Sequence, residues 1–213
     1  MKNRLILFIA LLFGGLSYGQ DEKAKTILDG ISLKTKAYKT MVIEFTLIVS
    51  SPEKEVTQTG KIWIKGEKYM LSLTDQEIYC DGVTITTYLK APENECYTKK
   101  VADIEEGEIV SPSQLLTIWE EGYTYKYIQE NTYADRPAHE IHLFPKDPSK
   151  SKHHTIILKI DKEKNEIVFI MVKGKEGINM KYKLSKFEKD VEISDSKFKF
   201  DPAKYPGIKC QEE

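Results

Sequence analysis

The chain has 213 residues, with 32 Lys and Arg against 33 Asp and Glu, a formal net charge of −1 and 40% apolar residues. No basic patch stands out, which argues against nucleic acid as a partner, and the length suits one domain with a sizeable core. Acidic and basic residues alternate finely, as on an ordinary solvated surface, with neither an internal repeat nor a low-complexity linker.

The N-terminus opens on Met1-Lys2-Asn3-Arg4, runs apolar from Leu5 to Leu16 and then offers Ser17-Tyr18-Gly19. A short basic start, an apolar run and small residues before a cut ahead of Gln20 form the tripartite pattern of a secretory signal peptide. The run is too short for a membrane span, which needs ~20 residues. Residues 1–19 are therefore expected to be a leader and residues 20–213 a single domain, exported to the periplasm. No cysteine closes the apolar run, so no lipid anchor is expected on the mature chain. Losing Lys2 and Arg4 takes the formal charge from −1 to −3.

Residues 21–38 predict an amphipathic helix, with Ala24, Ile27, Leu28, Ile31 and Tyr38 at helical spacing and Gly30 weakening its middle. Strand patterns follow. In Met41–Val49, Ile43, Phe45, Leu47 and Val49 share one face. Gly60–Lys65 sets Ile62 and Ile64 against Lys61, Trp63 and Lys65, and Lys68–Leu73 aligns Tyr69, Leu71 and Leu73. Asp81-Gly82 predicts a tight turn between Glu77–Cys80 and Val83–Lys90. Ala91–Asn94 turns the chain into Glu95–Lys99, and Lys100–Val110 reads as an acidic loop. Ser111-Pro112-Ser113-Gln114 carries a capping box with proline at the first helical position. It opens a short helix with Leu115, Leu116, Ile118 and Trp119, which Gly122 ends. Later strands are Tyr123–Glu130, His139–Phe144, Thr155–Asp161, Glu166–Lys173 and Met180–Glu188, with Lys162–Asn165 and Gly174–Gly177 as hairpin loops. The expectation is a mainly β meander of ten or eleven antiparallel strands plus two helices. Pattern alone leaves open whether a second sheet, a barrel or the helices cover the apolar face.

Residues that could carry chemistry are sparse. His139 and His142 point to opposite faces of one strand and His153 and His154 diverge, so neither pair has metal-ligand spacing. Serine-nucleophile motifs and Gly-rich phosphate loops are absent, and no catalytic residue, cofactor or metal is expected. Of the three cysteines, Cys80 and Cys96 fall on strands separated by one intervening strand, roughly 9–10 Å apart. That is beyond disulfide reach. With Cys210 as an odd thiol in the tail, no structural disulfide is expected. Aromatic residues are more telling: Tyr123, Tyr125 and Tyr127 share a face.

Several segments, in order, resemble the outer-membrane lipoprotein carrier family (LolA-like). Gly60-Lys61-Ile62-Trp63-Ile64-Lys65-Gly66-Glu67-Lys68-Tyr69 looks like that family's strand pair. Cys80-Asp81-Gly82-Val83-Thr84-Ile85-Thr86-Thr87-Tyr88 is similar to its Asp-Gly hairpin ending in tyrosine. Ser111–Leu116 falls where the family has its lid-forming helix. Asp195-Ser196-Lys197-Phe198-Lys199-Phe200-Asp201-Pro202 with Tyr205-Pro206-Gly207 resembles its phenylalanine-rich C-terminal signature. Each motif is short and degenerate, and the specificity lies in the ordered set, which spans the mature chain.

The resemblance implies a half-open antiparallel β-barrel whose apolar concave face is covered by an N-terminal helix and a short lid helix. The implied role is a monomeric periplasmic carrier. It would take acylated outer-membrane lipoproteins from an inner-membrane ABC release complex to an outer-membrane acceptor, without covalent chemistry. A related envelope sensor or sorting module that binds lipids or lipoproteins on the same fold is the alternative. By strand parity the acyl-chain face is expected to hold Phe45, Leu47, Ile62, Ile64, Tyr69, Leu71, Leu73 and Ile85, covered by Leu115, Leu116 and Trp119, with Trp63 facing outward. One departure stands out. Typical members tie the lid to the barrel with an arginine near the position of Gly66, and this chain has Lys65, Gly66, Glu67 and Lys68 there.

Overall fold

Alternation of apolar and polar residues over successive short runs dictates strands. A computed structural model, which describes residues 15–104 and 115–212, assembles them into one sheet. All of the apolar run of the expected leader except Gly15 and Leu16, and the capping box Ser111–Gln114, lie outside the described residues. Helix α1 spans Gly15–Ala37. The strands are β1 Met41–Ser50, β2 Glu55–Lys65, β3 Lys68–Ser72, β4 Gln76–Cys80, β5 Thr84–Leu89, β6 Glu95–Lys100, β7 Tyr123–Tyr133, β8 Arg136–Pro145, β9 His153–Asp161, β10 Glu166–Gly174, β11 Asn179–Lys189 and β12 Cys210–Glu212. Their order is β12-β6-β5-β4-β3-β2-β1-β11-β10-β9-β8-β7. Every neighbouring pair is antiparallel except β12 with β6. The sheet stays open, with β12 and β7 as its edges, and curls around α1 as a half-open barrel.

Eleven strands fall where alternation places them, with longer ends in three cases. The polar stretch Glu55–Thr59 joins β2 because it pairs, residue for residue, with Thr46–Ser50 of β1. β7 and β8 both run on to a two-residue turn, Ala134-Asp135, with φ of 49° and 61°. Paired positive φ is the geometry of a tight hairpin turn, here built without glycine and therefore without a strong sequence signal. The Asp81-Gly82 turn forms as expected: Gly82 has φ 92°, and Asp81 Oδ1 accepts from the N–H groups of Val83 and Thr84, each at 3.0 Å.

The concave face carries the core. Ala24, Leu28 and Ile31 of α1 are buried over Ile141, Leu143, Ile156, Leu158 and Ile160, all five of which are fully enclosed. Gly30 faces the β9–β10 loop, where a Cβ would lie 3.1 Å from Asn165 Nδ2. Polar contacts hold the same docking. Lys34 Nζ donates to the Lys164 carbonyl at 2.7 Å, and Glu130 bridges Lys23 of the helix and Lys162. These two lysines hold the exposed Glu130 carboxyl down at about 2.

After β11 the chain crosses the convex face as a strap, residues 190–209, and ends in β12 at the far edge. Phe198 is buried beneath it. Phe200 stacks on Tyr205 and packs against Tyr79 and Tyr88. The Tyr205 hydroxyl donates to Glu77 at 2.7 Å, and Asp195 accepts from both Lys65 and Lys68 at 2.7 and 2.8 Å. The expectation of no disulfide is overturned here. β12 pairs in parallel with β6, setting Cys210 opposite Cys96 with their Cα atoms 4.3 Å apart, and the two are joined. Cys80, on the other face of the sheet, stays a buried free thiol whose pKa burial pushes up.

The start of the second expected helix lies outside the described residues. Leu115 is still helical, but Thr117 at φ −141° ends the helix, and Ile118–Glu120 forms a 3-10 turn where the expectation ran on to Gly122. This lets Trp119 turn into the core, and Gly122 at φ 77° then directs the chain into β7.

Packing at Gly60 leaves no space for a larger residue. A side chain there would land on the Phe45 ring and 2.9 Å from Leu73 Cδ2, so Gly60→Ala should cost about 1–3 kcal/mol in urea titration, the usual penalty of overpacking. Acid should act on the strap. Asp195 is held down at about 2, by Lys65 first and then Lys68. For Glu77, burial acts upward, but hydrogen bonds from Tyr79 and Tyr205 and the charge of Lys90 keep the carboxyl below its ordinary range. A depressed carboxylate contributes stability above its unfolded value of ~4 that is lost as pH falls toward the folded value. The strap should therefore loosen between pH ~4 and ~2. Near-ultraviolet circular dichroism of the tyrosine cluster should report this, with a smaller transition in Asp195→Asn.

Candidate functional site

The candidate site is the half of the concave face that α1 leaves uncovered. Strand pairing lines up its side chains across the sheet: Ile78 opposite Leu71, Leu71 opposite Ile62, Ile62 opposite Ile43, and Phe45 opposite Leu184. Leu47, Leu71, Ile78, Ile85, Met180, Tyr182 and Leu184 are only partly buried, so this is an aliphatic surface without a full cover. Within it lies a cavity of about 140 Å³, walled by Ile43 and Phe45 of β1, Ile62 and Ile64 of β2, Leu71 of β3, Ile170 of β10, and Tyr182 and Leu184 of β11, and covered by Leu115 and Leu116. The only polar atom of these side chains is the Tyr182 hydroxyl, whose pKa burial raises.

Six of the residues expected from parity meet around this cavity: Phe45, Ile62, Ile64, Leu71, Leu115 and Leu116. The other five stand elsewhere. Leu47 shares the face further along β1, toward the uncovered end. Tyr69 is buried opposite Cys80 of β4, and Ile85 sits half-buried opposite Cys80 on the other side. Leu73 packs beside Phe45 at Gly60. Trp119 is buried against α1, where its Nε1 donates to Ser32 Oγ at 3.0 Å. Trp63 lies on the convex face, with Lys197 Nζ of the strap 3.8 Å from its ring centroid.

Sequence reasoning missed Ile43, Ile170, Tyr182 and Leu184 as cavity residues. Ile43 has the parity of Phe45 and was recoverable. The other three enter because β11 pairs with β1 across most of the chain length, a juxtaposition that local pattern does not encode.

The cover is fastened to the helix. Besides the Trp119–Ser32 bond, Glu120 pairs with Lys36 at 2.7 Å. The position where the resembled family has its lid-binding arginine has another task here: Lys65 and Lys68 both reach Asp195 on the convex side. Among the described residues no group of three or more His, Cys, Asp or Glu is placed to hold a metal. Three of the histidines instead pair singly, His139 with the Tyr127 hydroxyl, His153 with the Tyr123 hydroxyl and His142 with Glu140. Among the same residues no helix is long and apolar enough to cross a membrane.

Comparison with solved structures places this architecture among known folds. An uncharacterized conserved protein from Thermus thermophilus superposes with a TM-score of 0.57 at 11% identity, over 89% of this chain and 99% of that one. Structural neighbours also include a LolA superfamily protein from Nitrosomonas europaea, with a TM-score of 0.43 at 11% identity over 83% of this chain and 97% of that one. A putative outer membrane lipoprotein-sorting protein domain from Vibrio parahaemolyticus gives 0.43 at 10% identity, over 82% and 97%. At these identities the likeness is one of fold. No protein-family model and no curated protein sequence matches the chain.

The attachment of the cover can be measured. Trp119→Phe keeps an aromatic ring in the site but removes the bond to Ser32 and part of the ring volume, and should cost about 1–3 kcal/mol in denaturant unfolding. Trp119→Ala should cost about 3–5 kcal/mol, the range for emptying a buried aromatic site. Faster amide exchange confined to residues 115–120 in the phenylalanine variant would locate the effect.

Proposed function

We propose that this protein is a periplasmic carrier that lodges the acyl chains of lipoproteins on the uncovered half of its concave face. In this reading it receives them from an inner-membrane ABC release complex and yields them to an outer-membrane acceptor. The observation that carries the reading is the aliphatic strip with its cavity beneath Leu115 and Leu116. Such a surface attracts hydrocarbon without directional anchors, so cargo can be held and still released. Each methylene taken out of water contributes about 0.8 kcal/mol, enough for a chain of ordinary length to outweigh a short, lightly fastened cover.

The cavity bears on how loading would proceed. At about 140 Å³ it is smaller than the ~300–1,000 Å³ of ordinary ligand pockets. Loading therefore requires the segment bearing Leu115 and Leu116 to swing off the strip, with Trp119 and its bond to Ser32 as the fixed end. The other half of the concave face is filled by its own side chains and offers no room. The export expected from residues 1–19 fits the Cys96–Cys210 disulfide, since such bonds persist in oxidising compartments.

Two measurements test the reading. Protein isolated from the periplasm of its host should co-purify with acylated lipoproteins, identified by mass spectrometry. Consistent recovery of empty protein while such lipoproteins accumulate at the inner membrane would overturn the proposal. In vitro, a fluorescent fatty-acid probe should bind, and Leu71→Trp, which fills the cavity from a half-exposed position, should weaken it at least tenfold with the fold retained.

A further inference from the structure

The two halves of the convex face are treated differently by the chain. The strap covers the half formed by β1–β6. Over β8–β11 and the far end of β1, alternation opposite the concave core puts a second set of side chains on the outside. One row runs His142, Ile157, Met171, Lys181, Ile48 across five strands, and the next runs Glu140, Lys159, Phe169, Lys183, Thr46. Phe144 stands beside the first row at 37% exposure, and Lys126 and Lys183 are exposed.

Charge on this face is one-sided. Inside a margin where Glu44, Glu188 and Asp161 are each paired with a cation, Lys61, Lys186 and Arg136, the lysines Lys126, Lys159, Lys173, Lys181 and Lys183 oppose two carboxylates, Glu55 and Glu140. Glu55 lies 3.9 Å from Lys181 and Glu140 lies 3.8 Å from Lys159, and Glu140 also accepts from His142 and Asn131. Among the described residues no carboxylate is within ion-pair distance of Lys126, Lys173 or Lys183. In a chain of formal charge −1, an uncovered cationic sheet face interleaved with Ile48, Ile157, Met171 and Phe144 is a marked asymmetry. A second copy of the chain would meet it with the same sign of charge.

We infer that this convex face docks on an anionic phospholipid surface. The lysines meet the lipid phosphates and the aliphatic and aromatic side chains between them rest at the headgroup level. The concave strip stays free on the opposite side of the sheet, so this inference stands on surface charge and does not depend on the carrier reading.

Flotation of the purified protein with vesicles tests it. Vesicles of phosphatidylcholine mixed with phosphatidylglycerol should carry the protein up the gradient at low salt and release it at high salt, while vesicles of phosphatidylcholine alone should leave it behind. The double variant Lys126→Gln, Lys183→Gln, on exposed strand positions without ion-pair partners among the described residues, should weaken partitioning about thirty-fold, the loss expected for two lysines at a membrane surface. Lys204→Gln with Lys209→Gln on the strap should not. Lodging of lipid on the concave strip would be indifferent to headgroup charge and to salt. Equal flotation with both vesicle types would therefore overturn this inference while leaving the carrier reading intact. Failure to float, equal weakening by the strap variants, or capture by poly-glutamate in place of vesicles would each overturn it as well, the last in favour of an acidic protein surface.

Discussion

One helix cannot cover eleven strands. Strands lie ~4.8 Å apart and a helix with its side chains is ~10–12 Å across, so α1 shields a few strands of the concave face and no more. It settles over β7 to β10, where Ile141, Leu143, Ile156, Leu158 and Ile160 lose all exposure. The strands beyond its reach, β1 to β5 and β11, keep the same aliphatic pattern without the same cover. The cavity and the half-buried leucines and isoleucines around it are the direct result. Site and core are one surface, divided by where the helix stops.

The convex side answers the same shortage of cover in another way. The strap takes the role of a second layer over β1 to β6. It is held by an aromatic cluster, by one aspartate shared between two lysines, and by a disulfide at the sheet edge. Cys96 and Cys210 are 114 residues apart, so closing that loop constrains the unfolded chain by up to ~5 kcal/mol. It also covers the outer edge of β6 with β12. Lys65 and Lys68 serve this strap through Asp195, and the short cover of the concave side is fastened to α1. The device holding the cover thus sits on the helix, so any motion of the cover is coupled to how firmly α1 docks.

Polar residues are arranged to keep the concave strip free of fixed charge. Glu130, Lys23 and Lys162 gather at the helix flank, Glu77 and Asp195 at the strap, and Glu140 on the outer face. The tyrosines Tyr123 and Tyr127 satisfy their hydroxyls on histidines in the filled half. What lines the cavity among the described residues is hydrocarbon with the single phenol of Tyr182, a lining that discriminates by apolarity and shape.

Much of this was legible in the chain because it rests on local period. The eleven main strands, the amphipathic helix, the Asp81-Gly82 turn and the inward parity of Phe45, Ile62, Ile64 and Leu71 all follow from alternation at two or recurrence near 3.6, which a strand or helix imposes on its own residues. The glycine-free turn at Ala134-Asp135 was hidden because its strained φ values are tolerated through the pairing around it. Tertiary structure alone decided the rest. β11 lies beside β1, so Tyr182 and Leu184 complete the cavity. Trp119 turns to Ser32 and so anchors the cover without lining the hollow. The strap brings Cys210 to Cys96, a pairing that strand spacing could not foresee. Each of these joins residues far apart in sequence, and contacts of that kind are set by the packing of whole elements, on which the pattern within any one segment is silent.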